Sequence, residues 1–137
     1  MSRITAFGLA ALVTLQLITS GCSGGAGTPE LAPVEGRVTM DGEPLPNVCV
    51  HFIPENGRES VGTTDKDGKY QASYLPKVMG VRLGKQKVMI EVFFDDDTDR
   101  EAIKARRKIP AKYNAQTTLT AEIKRGKNVC DFQLTSE

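Results

Sequence analysis

Residues 34–52 are VEGRVTMDGEPLPNVCVHF, and this stretch decides the fold. Its first part, residues 34–39, alternates small or apolar residues with polar ones, which is the period of a half-buried β-strand. Residues 48–53 repeat that alternation. Between these two segments, Asp41-Gly42 predicts a tight turn, because Gly tolerates a positive φ. The stretch therefore predicts two neighbouring strands joined by a turn.

The pattern continues along the chain as short strands separated by turn residues. The strongest segment is 86–94, which places Val88, Ile90 and Val92 on one face. The other predicted strands are 61–64, 69–74, 119–123 and 129–134, the last two forming a hairpin around 124–128. Many short strands at close spacing predict an all-β sandwich.

One segment departs from the strand pattern and predicts a short inserted helix. Thr98 and Glu101 have the spacing of a capping box, in which the N-cap hydroxyl and the N3 side chain satisfy backbone N–H groups. Ala102 and Ile103 continue the helical pattern, and Pro110 ends it.

The strand and turn motifs are VEGRV at 34–38, DGEPLPNV at 41–48, GTTD at 62–65, DGKY at 67–70 and GK at 84–85. Together they resemble the carboxypeptidase regulatory-like domains, which implies a seven-stranded antiparallel β-sandwich of the transthyretin-like, Ig-like type. IPAKYN at 109–114, LT at 119–120 and CDFQL at 130–134 resemble the small predicted lipoproteins of this group in planctomycete bacteria. The resemblance covers nearly all of 34–135. It departs at Asn47, where the family often has Gly, and at Gln86, where it often has Tyr.

Residues 1–21 predict a signal peptide. Arg3 supplies a positive charge, and the mostly apolar run 6–18 is too short for the ~20 residues of a membrane-spanning helix. The small residues before Cys22 resemble a bacterial lipobox, which implies signal cleavage and palmitate-type acylation of Cys22. An ordinary secretory signal followed by a free Cys22 is the alternative.

The predicted organisation is a signal peptide at 1–21, the lipidated Cys22 with a flexible linker at 22–33, and the folded domain at 34–135. Gly, Ser and Pro dominate the linker and prevent it from forming a core. Ser23 directly follows the anchor, and by resemblance to the enterobacterial sorting rule it favours the outer membrane. The expected location is therefore the cell envelope, at the outer membrane or the periplasmic face.

Composition argues against nucleic acid as a partner. The chain has 18 Lys and Arg against 17 Asp and Glu, and Arg3 leaves with the signal peptide, so the mature chain has no net charge. Nucleic-acid binding relies on many basic contacts to phosphate. The chain also has no Trp, 3 Tyr and 5 Phe, so platforms for stacking bases or sugars are scarce.

The residues give little support for an enzyme. His51 is the only histidine, and no sequence context places a serine nucleophile beside it. Transthyretin-like hydrolases of purine breakdown use a C-terminal Tyr-Arg-Gly-Ser, whereas residues 134–137 are LTSE. We therefore predict a non-enzymatic protein without a cofactor.

No metal site is predicted either. Cys49 and His51 share one strand face, but zinc usually takes three or four protein ligands. The acidic run 95–101 begins like a calcium loop, but Arg100 stands where the EF-hand pattern requires Gly. A solvated loop explains these charges without a metal.

Two cysteines remain if Cys22 is acylated. A disulfide between Cys49 and Cys130 is an open alternative, since an exported chain meets an oxidising compartment. Against it, Cys130 has the phase of the inward-facing Phe132 and Leu134, whereas Cys49 is out of phase with its inward neighbours. Side chains that face opposite ways cannot be bridged.

These observations favour a membrane-anchored envelope lipoprotein that acts as a non-enzymatic binding or structural module. Its expected partners are the membrane, through the lipid anchor, and an envelope protein or glycan. The alternative is a periplasmic domain that binds a small ligand or a metal.

Overall fold

The computed structural model describes residues 27–93 and 109–136. Within these ranges there is one short 3-10 helix, Ala111–Tyr113. The strands there are β1 (Leu31–Ala32), β2 (Val34–Met40), β3 (Glu43–Pro44), β4 (Val48–Pro54), β5 (Ser60–Thr63), β6 (Lys69–Gln71), β7 (Ser73–Leu75), β8 (Val78–Met79), β9 (Val81–Arg82), β10 (Gly84–Val92), β11 (Thr120–Ile123), β12 (Asn128–Val129) and β13 (Phe132–Leu134). The prediction of an all-β sandwich is confirmed.

Two sheets form the sandwich. The larger sheet has six strands in the order β11-β10-β4-β5-β7-β8. The smaller sheet is built around β2, which pairs with β12 and β13 along one edge and with β3 and β6 along the other. The chain changes sheets at Ala72, because β6 pairs with β2 whereas β7 pairs with β5.

The core lies between the two sheets and follows from the alternation in β4 and β10. Val50 pairs with Ile90, and Phe52 with Val88; all four side chains are fully buried. Burial of each such side chain contributes roughly 1.5–3 kcal/mol. The Phe52 ring reaches across to the smaller sheet, where its centroid lies 6.2 Å from that of Tyr70 and 6.4 Å from that of Phe132. This aromatic group joins the sheets.

The predicted hairpin at 119–134 is wrong. β11 pairs with β10 in the larger sheet, whereas β12 and β13 pair with β2 in the smaller one. The physical reason lies in Asn128, whose side chain bonds Lys124 and Gly126 and whose backbone N–H donates to the Pro33 carbonyl. These bonds bend the chain toward β2 instead of back onto β11.

The smaller sheet also departs from the expected antiparallel arrangement, because β12 and β13 run parallel to β2.

The fold starts earlier than the predicted boundary at residue 34. Leu31 and Ala32, assigned to the linker, form β1 and pair with β9, and Ala32 is buried. The signal peptide, Cys22 and the helix predicted from Thr98 all lie outside the described residues.

The smaller sheet is locked at one point by a buried tyrosine. The Tyr70 hydroxyl donates a 2.5 Å hydrogen bond to the Cys130 carbonyl between β12 and β13. Regular parallel pairing would aim this carbonyl at the Arg37 N–H. That N–H instead donates to Asp131 Oδ1 at 2.8 Å. Burial raises the pKa of Tyr70 far above its ordinary value, so the hydroxyl remains a donor.

Gly36 is required where this carbonyl turns inward. A Cβ atom at residue 36 would lie 1.8 Å from the Cys130 oxygen, a distance at which the backbone would have to move. The VEGRV motif therefore has its glycine because another strand's backbone approaches β2 at that point.

We expect Tyr70→Phe to lower the free energy of unfolding by about 1–3 kcal/mol, because it leaves the buried Cys130 carbonyl without its donor. Urea unfolding followed by fluorescence or circular dichroism measures this change. The matched control is Tyr74→Phe on β7, which removes a hydroxyl from a half-buried ring. Equal losses for both variants would contradict a special role for Tyr70.

Candidate functional site

The single histidine lies on the outer face of the larger sheet between two carboxylates. His51 Nδ1 is 3.1 Å from Glu59 Oε2 and forms a hydrogen bond with it. Nε2 is 2.9 Å from Glu91 Oε1, but the two atoms are not aligned for a hydrogen bond. The side chain is 12% exposed. Both ring nitrogens therefore face acidic groups, an arrangement that holds the ring in place.

Cys49 lies near this histidine but does not form a nucleophile with it. Its Sγ atom is 3.7 Å from Thr63 Oγ1. Burial raises the pKa of the Cys49 thiol, and the negative charges of Glu91 and Glu59 raise it further. A reactive cysteine requires the opposite environment, which stabilises the thiolate. The cluster has the residue types of a catalytic dyad without the electrostatics of one.

Among residues 27–93 and 109–136, no group of three or more His, Cys, Asp or Glu side chains is arranged to hold a metal ion. The whole acidic run 95–101, which begins like a calcium loop, lies outside those residues.

Cys49 and Cys130 are both free thiols. Cys49 lies on β4 of the larger sheet, whereas Cys130 lies between β12 and β13 of the smaller one. Burial raises the pKa of Cys130 as well, with a further contribution from Asp131. The two thiols therefore stand in separate sheets, each in surroundings that disfavour the thiolate.

A concave feature lies on the smaller sheet. It is an open groove of about 900 Å³ that follows the outer surface of β2 and its neighbours. Its outward-facing charged residues are Glu35, Arg37, Asp65, Lys69 and Asp131, and its exposed apolar residues are Met79 and Val129. We call this feature the sheet groove.

Local hydrogen bonds stabilise the ionised forms of two carboxylates in the sheet groove. Lys127 Nζ is 2.6 Å from Glu35 Oε1, and its hydrogen bond lowers the pKa of Glu35. Asp65 accepts the backbone N–H groups of Lys69 and Asp67, which lowers the pKa of Asp65. Both carboxylates are therefore ionised at neutral pH. The groove presents charges of both signs on a rigid sheet, which suits recognition of a polar partner.

The sequence analysis did not identify the sheet groove. The outward phase of Glu35 and Arg37 was visible in the alternation of 34–39. Their neighbours Val129 and Asp131 were not, because that assignment needs the parallel pairing of β2 with β12 and β13. A prediction that placed 129–134 in a hairpin with 119–123 put these residues in the wrong sheet.

In the described part of the chain, no helix has the length and apolar character that a bilayer span requires.

Comparisons with known proteins add little to this geometry. No protein-family model matches the chain, and no curated protein matches it at a significant level. The chain is similar to the crystal structure of a DUF3823 family protein from Parabacteroides merdae, with a TM-score of 0.47 and 14% identity. The similarity covers 77% of this chain and 46% of that protein, so the chain spans less than half of its length. At this level the likeness carries no functional argument.

We expect both thiols to react in unfolded, unreduced Cys22→Ala protein, because Cys49 and Cys130 are free. In the folded protein, labelling is expected to be slow at pH 8 and to keep accelerating above pH ~8.5, where an ordinary cysteine levels off. The sign follows from the raised pKa values, which reduce the thiolate fraction at each pH. Mass spectrometry after maleimide labelling counts the thiols. Fewer than two in the unfolded protein would indicate a bridge.

Proposed function

We propose that this protein is a membrane-anchored envelope lipoprotein whose sandwich, of the carboxypeptidase regulatory-like type, is a non-enzymatic binding or structural module. The observation that carries the proposal is the sheet groove, an open surface of charged side chains next to the point where the N-terminal tether enters the fold. Rigid sheets that present such contacts suit recognition of a large partner.

The anchor is the acylated Cys22. Two or three acyl chains on one residue give stable membrane attachment, whereas a single chain is marginal. Leu31 stands nine positions after Cys22, so the fold begins within about 30 Å of the lipid surface even if the tether is fully extended. The module is therefore held close to the membrane that carries it.

A protein is the partner that best suits the sheet groove. Arg37 and Lys69 provide donors, and Asp65 and Asp131 provide acceptors, spread along an open surface. Glycan sites commonly use exposed aromatic rings, but the aromatic ring lining this groove is Tyr70, which is buried. Charges of both signs spread along an open surface match the polar surface of a folded protein.

The second candidate function, a periplasmic small-ligand domain, rests on a smaller pocket that adjoins the sheet groove and shares Glu35, Gln71 and Met79 with it. This pocket of about 190 Å³ is lined mainly by apolar residues, among them Pro33, Val34, Ala72 and Met79. Ligand sites usually occupy roughly 300–1,000 Å³. The pocket is smaller than that range, so we favour the lipoprotein module.

The lipid anchor predicts a diagnostic mass. Intact-mass analysis of detergent-extracted protein should show a chain that begins at Cys22 and carries two or three acyl chains. Cys22→Ala should lose the added mass and leave the membrane fraction, because no acyl chain then holds it. A mature chain that starts at Cys22 without acyl mass would contradict the proposal.

The partner prediction is tested by in-cell cross-linking followed by affinity capture from the solubilised envelope. We expect a reproducible protein partner, and Lys69→Glu in the sheet groove should reduce its yield severalfold by reversing a contact charge. The matched control is Lys87→Glu on β10, an exposed lysine outside the groove. Capture that both variants leave unchanged would remove the groove from the interface.

A further inference from the structure

The loop between β11 and β12 is basic and has a fixed shape. Residues 124–127, which we call the basic loop, are Lys-Arg-Gly-Lys, three cationic side chains without an acidic one. Asn128 Nδ2 donates to the carbonyl oxygens of Lys124 at 2.8 Å and Gly126 at 3.0 Å. Asn128 Oδ1 accepts the Lys124 N–H at 3.0 Å. The cationic side chains thus project from a backbone held by one side chain.

The basic loop lies where the tether enters the fold. Arg125 makes two contacts with the Glu30 carboxylate, at 2.8 and 3.0 Å. The Asn128 N–H donates to the Pro33 carbonyl at 2.9 Å. Glu30 and Pro33 flank β1, the first strand after the linker. The part of the sandwich nearest to the predicted anchor therefore carries these three cations.

Two exposed apolar side chains lie next to the basic loop. Val129 is 63% exposed and Met79 is 51% exposed, and both line the sheet groove. Met79 also lines the small pocket together with Lys127 and Pro33. We call Met79, Val129 and the basic loop the proximal patch. Cationic and apolar side chains next to each other are typical of surfaces that lie on a lipid interface.

We infer that the proximal patch docks on the anionic headgroups of the membrane that carries the anchor. This inference rests on the proposed lipid anchor, which confines the patch to within about 30 Å of the headgroups. Each basic side chain near an anionic surface favours the docked state by roughly fivefold. The ion pairs of Arg125 and Lys127 are exposed, and exposed ion pairs are weak enough to exchange for phosphate.

Docking would also orient the sheet groove. β2 runs away from Pro33 for seven residues, about 20 Å, toward the turn that contains Lys66. The far part of the groove, with Asp65 and Lys69, would then point away from the bilayer. That part stays accessible to a protein partner while the near part rests on lipid.

Lysine footprinting of the full lipidated protein in vesicles tests the inference. The protein is reconstituted into phosphatidylcholine vesicles with or without roughly one third phosphatidylglycerol, and acetylation of each lysine is followed by mass spectrometry. In the anionic vesicles, acetylation of Lys124 and Lys127 should slow by roughly fivefold or more. Lys66, on the distal turn, should react equally in both. About 0.5 M salt should abolish the difference, because it screens surface charges.

A neutralised variant separates docking from anchoring. Lys124→Gln, Arg125→Gln and Lys127→Gln together keep the Asn128 bonds to the loop backbone, and Lys66→Gln is the matched control. We expect the triple variant to float with the vesicles like the parent protein. In anionic vesicles, Lys77, which lies next to the patch, should be acetylated faster in the triple variant than in the parent protein. If the parent protein floats normally but anionic lipid does not protect its Lys124 and Lys127 from acetylation, the docking inference alone is overturned. Failure of the parent protein to float would overturn the proposed anchor and the inference with it.

Discussion

The hydrogen bond from the Tyr70 hydroxyl to the Cys130 carbonyl is the constraint on which the smaller sheet depends. This bond turns the Cys130 carbonyl out of the parallel ladder and toward the core. The residues around the carbonyl compensate for its displacement. Gly36 leaves room for the oxygen, and Asp131 supplies the acceptor that the Arg37 N–H has lost. The Tyr70 ring packs near Phe52, so the same side chain also joins the two sheets. One tyrosine thereby links two strands of the smaller sheet to the core of the larger.

The two outer faces of the sandwich differ chemically. On the larger sheet, neighbouring strands enclose Cys49 and His51: the Cys49 thiol lies 3.7 Å from Thr63 Oγ1, and the His51 side chain is 12% exposed. On the smaller sheet, Arg37 and Asp131 lie beside the broken ladder and remain open to solvent. The residue types that suggest catalysis therefore lie on the larger sheet, where neighbouring strands enclose them. The accessible polar surface lies on the smaller sheet.

Much of the fold could be predicted from the sequence, because alternation and turn residues are local signals. The strands at 34–40, 48–54 and 84–92 were visible in residues such as Val38, Phe52 and Ile90, which are all buried. Strand partners were harder to predict. No local pattern in residues 128–134 indicates that this segment pairs with β2, which lies 94 positions earlier. The pairing depends on the hydrogen bond between Asn128 and Pro33 and on the space beside Gly36.

The candidate site was correspondingly less predictable. His51 and Cys49 were identified because their residue types are rare, but rarity says nothing about whether a group is accessible. The sheet groove consists of common residues such as Lys69 and Asp131, and they become a surface only when three segments distant in sequence lie side by side. Sequence reasoning therefore predicted the scaffold better than it predicted the contact surface.

The parallel pairing of β2 with the end of the chain also bears on how the protein is made. Chains emerge from the ribosome at roughly 5–20 residues per second, starting at the N-terminus. One edge of β2 has no partner until residues 128–134 arrive, and Tyr70 has no acceptor until Cys130 does. Such distant contacts make folding slow. One edge of the smaller sheet therefore closes only after residues 128–134 have been made, so the sandwich stays open until then.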